Sequence, residues 1–254
     1  MIFEIGIIFT VLLAVFVLFY RQAIEQYNIL QIEASQLSDL PKLLSERTPL
    51  VLHDIGQPKL FTSEALKSNT RLQQFPISAK ETLGAYLQNP SRPLALPHKA
   101  SLLLAKESGL SVWIEHTWLP KFFSYPILQH IHSLTTEAHL GDQGLVKATA
   151  IHTVLYPTSG TYEVTLLTEQ QEKCLPQSWR GRFPELFTLQ DTPLVGEIKF
   201  ITIKLRPGNM ICIPSHWFYS VRSTDAKTPA LWARFTIDNP ISYVASSMET
   251  ALHA

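Results

Sequence analysis

Polar and apolar positions divide the chain into three regimes. The first is MIFEIGIIFTVLLAVFVLFY, apolar from Met1 to Tyr20 except for Glu4, Gly6 and Thr10. About 20 apolar residues at a rise of about 1.5 Å span the hydrocarbon core of a bilayer. Phe19-Tyr20-Arg21 closes the run with interfacial aromatics and a snorkelling cation. No basic residue precedes it and no small-x-small cleavage site follows, so it reads as an uncleaved single-pass anchor over residues 1–21, not a signal peptide. Arg21, on the C-terminal side, places the following domain in the cytoplasm by the positive-inside bias. Residues 22–30 extend the anchor helix or link it to a domain over residues 31–254.

The second regime alternates short strands and helices. LQIEAS and PLVLHDI predict strands. SDLPKLLSERT, TSEALKSNTRLQQF and SAKETLGAYLQN predict helices, with Ser38 or Asp39, Thr62 and Asn89-Pro90 as their start and stop signals. From residue 98 the pattern changes. KASLLLAK and LSVWIEHTW predict strands around a turn at Glu107-Ser108-Gly109, and LPKFFSYPILQHIHSL predicts a helical or irregular insert. Then come seven short strands: EAHLGD, LVKATAIHTVLY, GTYEVTLLTEQ, EIKFITIKL, NMICIP, HWFYSVRS and PALWARFTID. Gly, Pro, Asn and Asp punctuate them, the rhythm of an antiparallel sandwich or barrel. KATAIHTVLY alternates, which puts Ala148, Ala150, His152 and Val154 on one strand face. The tail, PISYVASSMETALHA, predicts a helix.

Composition narrows the function classes. The 254 residues carry 21 basic and 21 acidic side chains, with no Lys/Arg run, so the chain lacks the footprint of a nucleic-acid binder. Two cysteines, Cys174 and Cys212, make neither a disulfide framework nor a zinc cluster. No G-x-S-x-G and no phosphate loop occurs, which removes the usual hydrolase and NTPase signatures.

Four phrases carry a family likeness. ILQIEASQLSDLPKLLSERTPLVLHDI, LPKFFSYPI, HLGDQGLVKATAIH and LRPGNMICIPSHWFYSV resemble, in order, segments of the double-stranded β-helix, or cupin barrel, of the Jumonji-C and cupin-8 class. The last phrase is the most specific, through Pro207, Gly208, Ile213, Pro214, Trp217 and Val221. The resemblance covers roughly residues 28 to 240. It implies a mainly β fold with flanking helices, and an ancestry among Fe(II)- and 2-oxoglutarate-dependent oxygenases. Those enzymes hold iron with His-x-Asp on one strand and a distal His on another, two imidazoles and a carboxylate on one face of the metal.

Carried onto this chain, the first ligand falls on His152, the carboxylate position on Val154, and the distal histidine on Tyr219. Two of the three ligands are therefore lost. Glu163, across a hairpin from His152, and His216, in the corner before Tyr219, are the substitutes that could restore a metal site. The plainer reading of His152 is a hydrogen-bonded core histidine. Lys147, Thr149 and Arg234 are the residues the resemblance offers to an anionic cosubstrate, with Lys204 a further basic candidate. For Arg234, within apolar LWARFTI, the plainer reading is an ion-paired arginine. His130 and His132 in LQHIHSL, and His139 and Asp142 in EAHLGDQG, read more simply as surface and turn residues. The expectation is a membrane-anchored, non-catalytic binding or scaffolding module, with a protein partner or a homodimer. Its alternatives are an oxygenase with an atypical iron site, and a pocket that takes a small molecule without metal.

Overall fold

The computed structural model describes residues 28–79, 81–90, 96–125, 131–225 and 228–240. The expected anchor and most of its linker, and the C-terminal tail from residue 241, lie outside the described residues. Among the described residues no helix is long and apolar enough to cross a membrane.

Among the described residues, ten strands form two sheets. They are β1 (Leu30–Glu33), β2 (Leu50–His53), β3 (Ser133–Leu140), β4 (Gln143–Lys147), β5 (His152–Ser159), β6 (Tyr162–Leu167), β7 (Ile201–Leu205), β8 (Met210–Pro214), β9 (Phe218–Ser223) and β10 (Leu231–Asp238). One sheet has the order β1-β2-β8-β5-β10-β3, the other β4-β9-β6-β7. From β3 onward the chain passes between the sheets, two antiparallel four-stranded layers wound as a jelly roll. That is the strand order of a cupin-like barrel. β1 and β2 extend the larger sheet, with β1 parallel to β2 and β2 antiparallel to β8.

Among the described residues, six short helices lie along the chain before the barrel: α1 (Leu40–Leu44), α2 (Ser63–Ser68), α3 (Thr70–Gln73), α4 (Leu83–Gln88), α5 (His98–Glu107) and α6 (Leu110–Thr117). Local chemistry sets their ends. Thr62 Oγ1 accepts from Ala65 N, and Asn69 Oδ1 accepts from Arg71 N and Leu72 N. Asn69 thereby divides the expected single helix TSEALKSNTRLQQF into α2 and α3.

α5 and α6 replace the two strands expected from KASLLLAK and LSVWIEHTW. The run Leu102-Leu103-Leu104 looks strand-like, but burial follows Ser101, Leu104, Ala105 and Ser108, a helical stripe. Leu110, Ile114 and Trp118 repeat that spacing in α6. Gly109, at φ 76°, takes the left-handed step that ends one helix and begins the next.

The strand expected from LVKATAIHTVLY is two strands. β4 ends at Lys147 in the smaller sheet and β5 begins at His152 in the larger. The corner between them is held by Ala148, whose carbonyl accepts from His216 N at 2.7 Å and whose N–H donates to Trp217 O at 2.7 Å. The alternation read straight through this corner therefore fails: Ala148 lies in the core between the sheets, while Val154 lies in the core against the helices.

The core has three layers. The helices and the outer face of the larger sheet share one, with Val154, Tyr156, Met210, Cys212, Ala233 and Phe235. The sheets enclose the second, with Leu155, Val164, Ile211, Ile213, Tyr219 and Trp232. The third lies outside the smaller sheet, where Phe218, Leu145 and Leu167 pack under Leu175 and Phe187. The peptide from Thr168 to Phe200 that forms this cover has only 3-10 turns. It is tied to β4 by Leu145 N to Arg182 O, 2.8 Å, and Gly181 N to Leu145 O, 2.9 Å. At Gly144 the two backbones approach so closely that a Cβ would lie 1.9 Å from Gly181 O.

Candidate functional site

The polar centre of the barrel comes from β3 and β10, paired antiparallel with Arg234 opposite Glu137 and Trp232 opposite His139. On each strand alternate residues point to opposite faces. Ala138, Leu140, Ala233 and Phe235 go to the helix side, and Trp232 goes to the interior. Glu137, His139 and Arg234 share the interior face with it.

Arg234 organises the cluster. Its Nη2 donates to Glu137 Oε2 at 2.6 Å, and its Nη1 donates to the Tyr219 hydroxyl at 2.9 Å. His139 stacks on Trp232, with ring centres 4.2 Å apart and planes 11° from parallel. Its Nε2 lies 3.2 Å from Glu137 Oε2. Trp232 Nε1 donates to Gly141 O at 2.9 Å, which fixes the indole beneath the imidazole. His98, the first residue of α5, approaches from the rim, its Nδ1 3.5 Å from Glu137 Oε1. Side-chain exposure rises outward, from 7% for Glu137 to 13% for His139, 19% for Arg234 and 67% for His98. Arg234 Nε is buried without a partner.

Burial works against every charge here, and the pair answers it. For Glu137, burial pushes the carboxyl up, but the His139 hydrogen bond and the Arg234 charge outweigh it and bring the pKa to about 2. For Arg234, burial pulls down, and Tyr219 and Glu137 more than restore the cation. His139 has its pKa lowered, above all by burial, against the pull of Glu137. The centre is thus a neutral ion pair beside an imidazole that is held toward its neutral form.

The residues singled out by sequence scatter around this centre. His152 lies on the helix-facing side of β5, its ring 6.1 Å from Phe122. Burial, with a smaller contribution from His132, lowers its pKa to about 4. Val154 is fully buried on the same face, paired with Cys212 and Phe235. Tyr219 is inside the barrel. The positions aligned with the first ligand and the carboxylate therefore lie on one side of the larger sheet, and the distal position lies on the other. Glu163 alternates with the inward Tyr162 and Val164, so it faces outward from the smaller sheet, 3.8 Å from Lys204. His216 occupies the corner at φ 69°, half-exposed, with Nδ1 3.9 Å from Glu169. His152, Glu163 and His216 are not brought together. Lys147 is on the cover side, its Nζ 3.3 Å from Glu172 and 5.7 Å above the Phe218 ring. Thr149 is exposed in the corner loop.

Of the singled-out residues, only Tyr219 and Arg234 meet inside the barrel. Glu137 is the member that sequence reasoning passed over, and His139, set aside there with Asp142 as a surface or turn residue, is instead buried against Trp232 in the barrel. The available signal was a Glu and a His two residues apart on a strand otherwise rich in buried positions. Among the described residues, no three His, Cys, Asp or Glu side chains gather into a group able to hold a metal ion.

No family model matches the chain, and no curated protein matches it. Among solved structures, it is similar over 42% of its length to hydroquinone 1,2-dioxygenase from Sphingomonas sp. TTNP3, at 18% identity and TM-score 0.29. It is similar over 42% of its length to the Drosophila melanogaster CENP-C cupin domain, at 17% identity and TM-score 0.25. The matches span 60% and 59% of those two chains. The first was solved with 4-hydroxybenzoate bound. The architecture of the present chain rests on its own strand order, not on likeness at this level.

Proposed function

We propose that the chain is a membrane-anchored, cupin-like module that binds or scaffolds and does not oxidise. One observation carries this reading: the guanidinium of Arg234 lies inside the barrel, bonded to both Tyr219 and Glu137. Tyr219 stands where the resemblance puts the distal iron ligand. A fixed cation bonded to it opposes a divalent metal at short range, and the carboxylate beside it is already claimed. The residues present therefore do not fit a resident Fe(II). The balanced charge argues against nucleic acid, so the partner is a protein at the membrane or a second copy of the chain. The apolar run at residues 1–21 supplies the anchor, with the domain on the cytoplasmic side.

A second reading has one observation in its favour. Of Lys147, Thr149 and Arg234, Arg234 alone faces the barrel interior, and its Nε is buried without a partner. A small anion such as 2-oxoglutarate could lodge there without metal.

The test uses the full chain in detergent micelles. Iron, zinc and manganese are measured by elemental analysis after anaerobic Fe(II) loading, and 2-oxoglutarate is titrated with Trp fluorescence as the signal. The module reading expects metal well below stoichiometry and no succinate formed. Stoichiometric iron together with 2-oxoglutarate turnover would replace it with the oxygenase. Saturable 2-oxoglutarate binding without iron, lost in Arg234→Gln, would favour the anion pocket.

A further inference from the structure

Sheet register fixes the end of the barrel at which the chain enters. Leu30, Leu50, Cys212, Val154, Phe235 and Thr136 form one row across the larger sheet. Two steps from that row, on the side from which β1 enters, lie Pro214, His152, Ile237 and Leu134, level with Asn28. Phe122 meets His152 at this end, and Phe123 packs on His132 with ring centres 4.4 Å apart. Those contacts bring Tyr125 and Ile131 to the same end. Both are turned to solvent, 68% and 53% exposed. An exposed aromatic beside an exposed aliphatic side chain suits the boundary between lipid headgroups and acyl chains. The turn leading into β2 here carries exposed Glu46 and Arg47, whose charges cancel. The cover has its own exposed apolar group, Leu186, Leu189, Leu194 and Phe200, but the chain enters through the other sheet. Arg21, where the apolar run ends, is seven residues before Asn28. Fully drawn out, that stretch spans at most about 25 Å. β10, of eight residues, is about 26 Å long. The opposite end could therefore face the bilayer only with the linker pulled to its limit.

We infer that the entry end of the barrel lies on the lipid surface, with Tyr125 and Ile131 seated at the bilayer interface beside the anchor. The inference rests on the membrane-anchored reading of residues 1–21. Tethering makes the contact intramolecular, so two apolar side chains suffice where a free domain would need a larger patch. With no net charge in the turn at Glu46 and Arg47, the contact is apolar and takes a zwitterionic surface. The orientation has a consequence for the polar centre. Glu137 and Arg234 lie one row beyond Thr136 and Phe235, away from the entry end, and His139 and Trp232 lie three rows beyond. Docking therefore turns the polar centre toward water, and a partner of the module meets it from the aqueous side.

The experiment is nitroxide accessibility in the full chain, reconstituted in phosphatidylcholine vesicles. The background is Cys174→Ala; Cys212 is buried and stays unlabelled. Single labels are placed by Tyr125→Cys, Ile131→Cys, Leu189→Cys on the cover and Leu12→Cys in the apolar run. All three described positions are exposed, so the labels leave the fold intact. The expected result is an oxygen-to-nickel accessibility ratio at residues 125 and 131 at least about fivefold above that at residue 189, since oxygen partitions into lipid and a nickel chelate stays in water. A label at Ser124→Cys shares the high ratio and loses it when Tyr125→Asp and Ile131→Asp are added. A label at residue 12 in lipid, with those at 125 and 131 in water, overturns the inference and leaves the anchor standing. A label at residue 12 in water overturns the anchored reading and the inference with it. Exclusion of both reagents at 125 and 131, with spin–spin broadening that unlabelled chain dilutes away, overturns lipid contact in favour of a second copy. The same exclusion without broadening overturns it in favour of cover by the chain's own tail from residue 241.

Discussion

His152 and His139 sit on strands of the same sheet and have opposite surroundings. His152 points to the helices and meets Phe122, with Val154 beyond it. His139 points into the barrel and meets Trp232, Glu137 and, through Glu137, Arg234. Burial lowers the pKa of both imidazoles. Only one has chemistry within reach. A strand face decides this, because a shift of one residue moves a side chain from a dry layer to a polar one.

The largest test of that contrast is Val154→Asp. If residue 154 faced the barrel, the substitution would create the His-x-Asp pair of the oxygenases the sequence resembles and raise metal uptake. On the helix-facing side it buries a carboxylate among Tyr156, Cys212 and Phe235, beside a His152 that burial holds toward its neutral form. The expected cost is about 3–5 kcal/mol in urea denaturation, with no gain in bound metal.

His152→Leu is expected to act through pH. The ordinary imidazole value is 6.5 and the folded value is about 4. Between those values the unfolded chain binds more protons than the folded one, so the neutral buried ring stabilises fully above about pH 6.5. That contribution drains as the pH falls and is gone below about pH 4, a difference of about 3 kcal/mol over the window. Glu137, held to about 2 from 4.5, loses its share lower, as pH falls from about 4.5 toward 2. Wild type minus His152→Leu therefore isolates the upper part of the acid curve, and a difference that is flat from pH 4 to 6.5 would place His152 in a solvated site.

The smallest effect belongs to Glu163→Gln. Its partner Lys204 is 76% exposed at 3.8 Å, so thermal melting is expected to move by less than about 0.5 kcal/mol, with metal content unchanged. A loss of several kcal/mol would mean that Glu163 has a buried role across the barrel.

The barrel was legible in the sequence where strands are β-branched and bounded by turns. YEVTLL, MICIP and LWARFTID all fall where their patterns put them. The corner at RPGNMICIPSHWFYSV was legible too, because Gly208, at φ 93°, and Pro214 mark its turns. Two features were not. Leu102 to Leu104 form an apolar run that fits either period, and the helix follows from the spacing of Ser101, Leu104 and Ala105. The change of sheet at Ala148 leaves no mark in KATAIHTVLY, since each half alternates correctly and only the join is broken. Of the polar centre, Arg234 and Tyr219 could be singled out. Their bond to each other and the role of Glu137 could not, because Glu137 precedes Arg234 by 97 residues and meets it only through the β3–β10 register.

The cover over the smaller sheet has a consequence for how the molecule comes apart. The peptide from Thr168 to Phe200 has no ladder of its own beyond short 3-10 turns, and its hold on β4 runs through two backbone bonds at Leu145, the tight passage at Gly144 and the Lys147–Glu172 ion pair. Such a layer opens as one piece, well before the barrel does. Amides in the cover then exchange with solvent together, and a protease cuts there while the sheets remain closed. Each opening uncovers Phe218 and Leu167 at once, so this panel is also where the protein is most exposed to self-association during its lifetime.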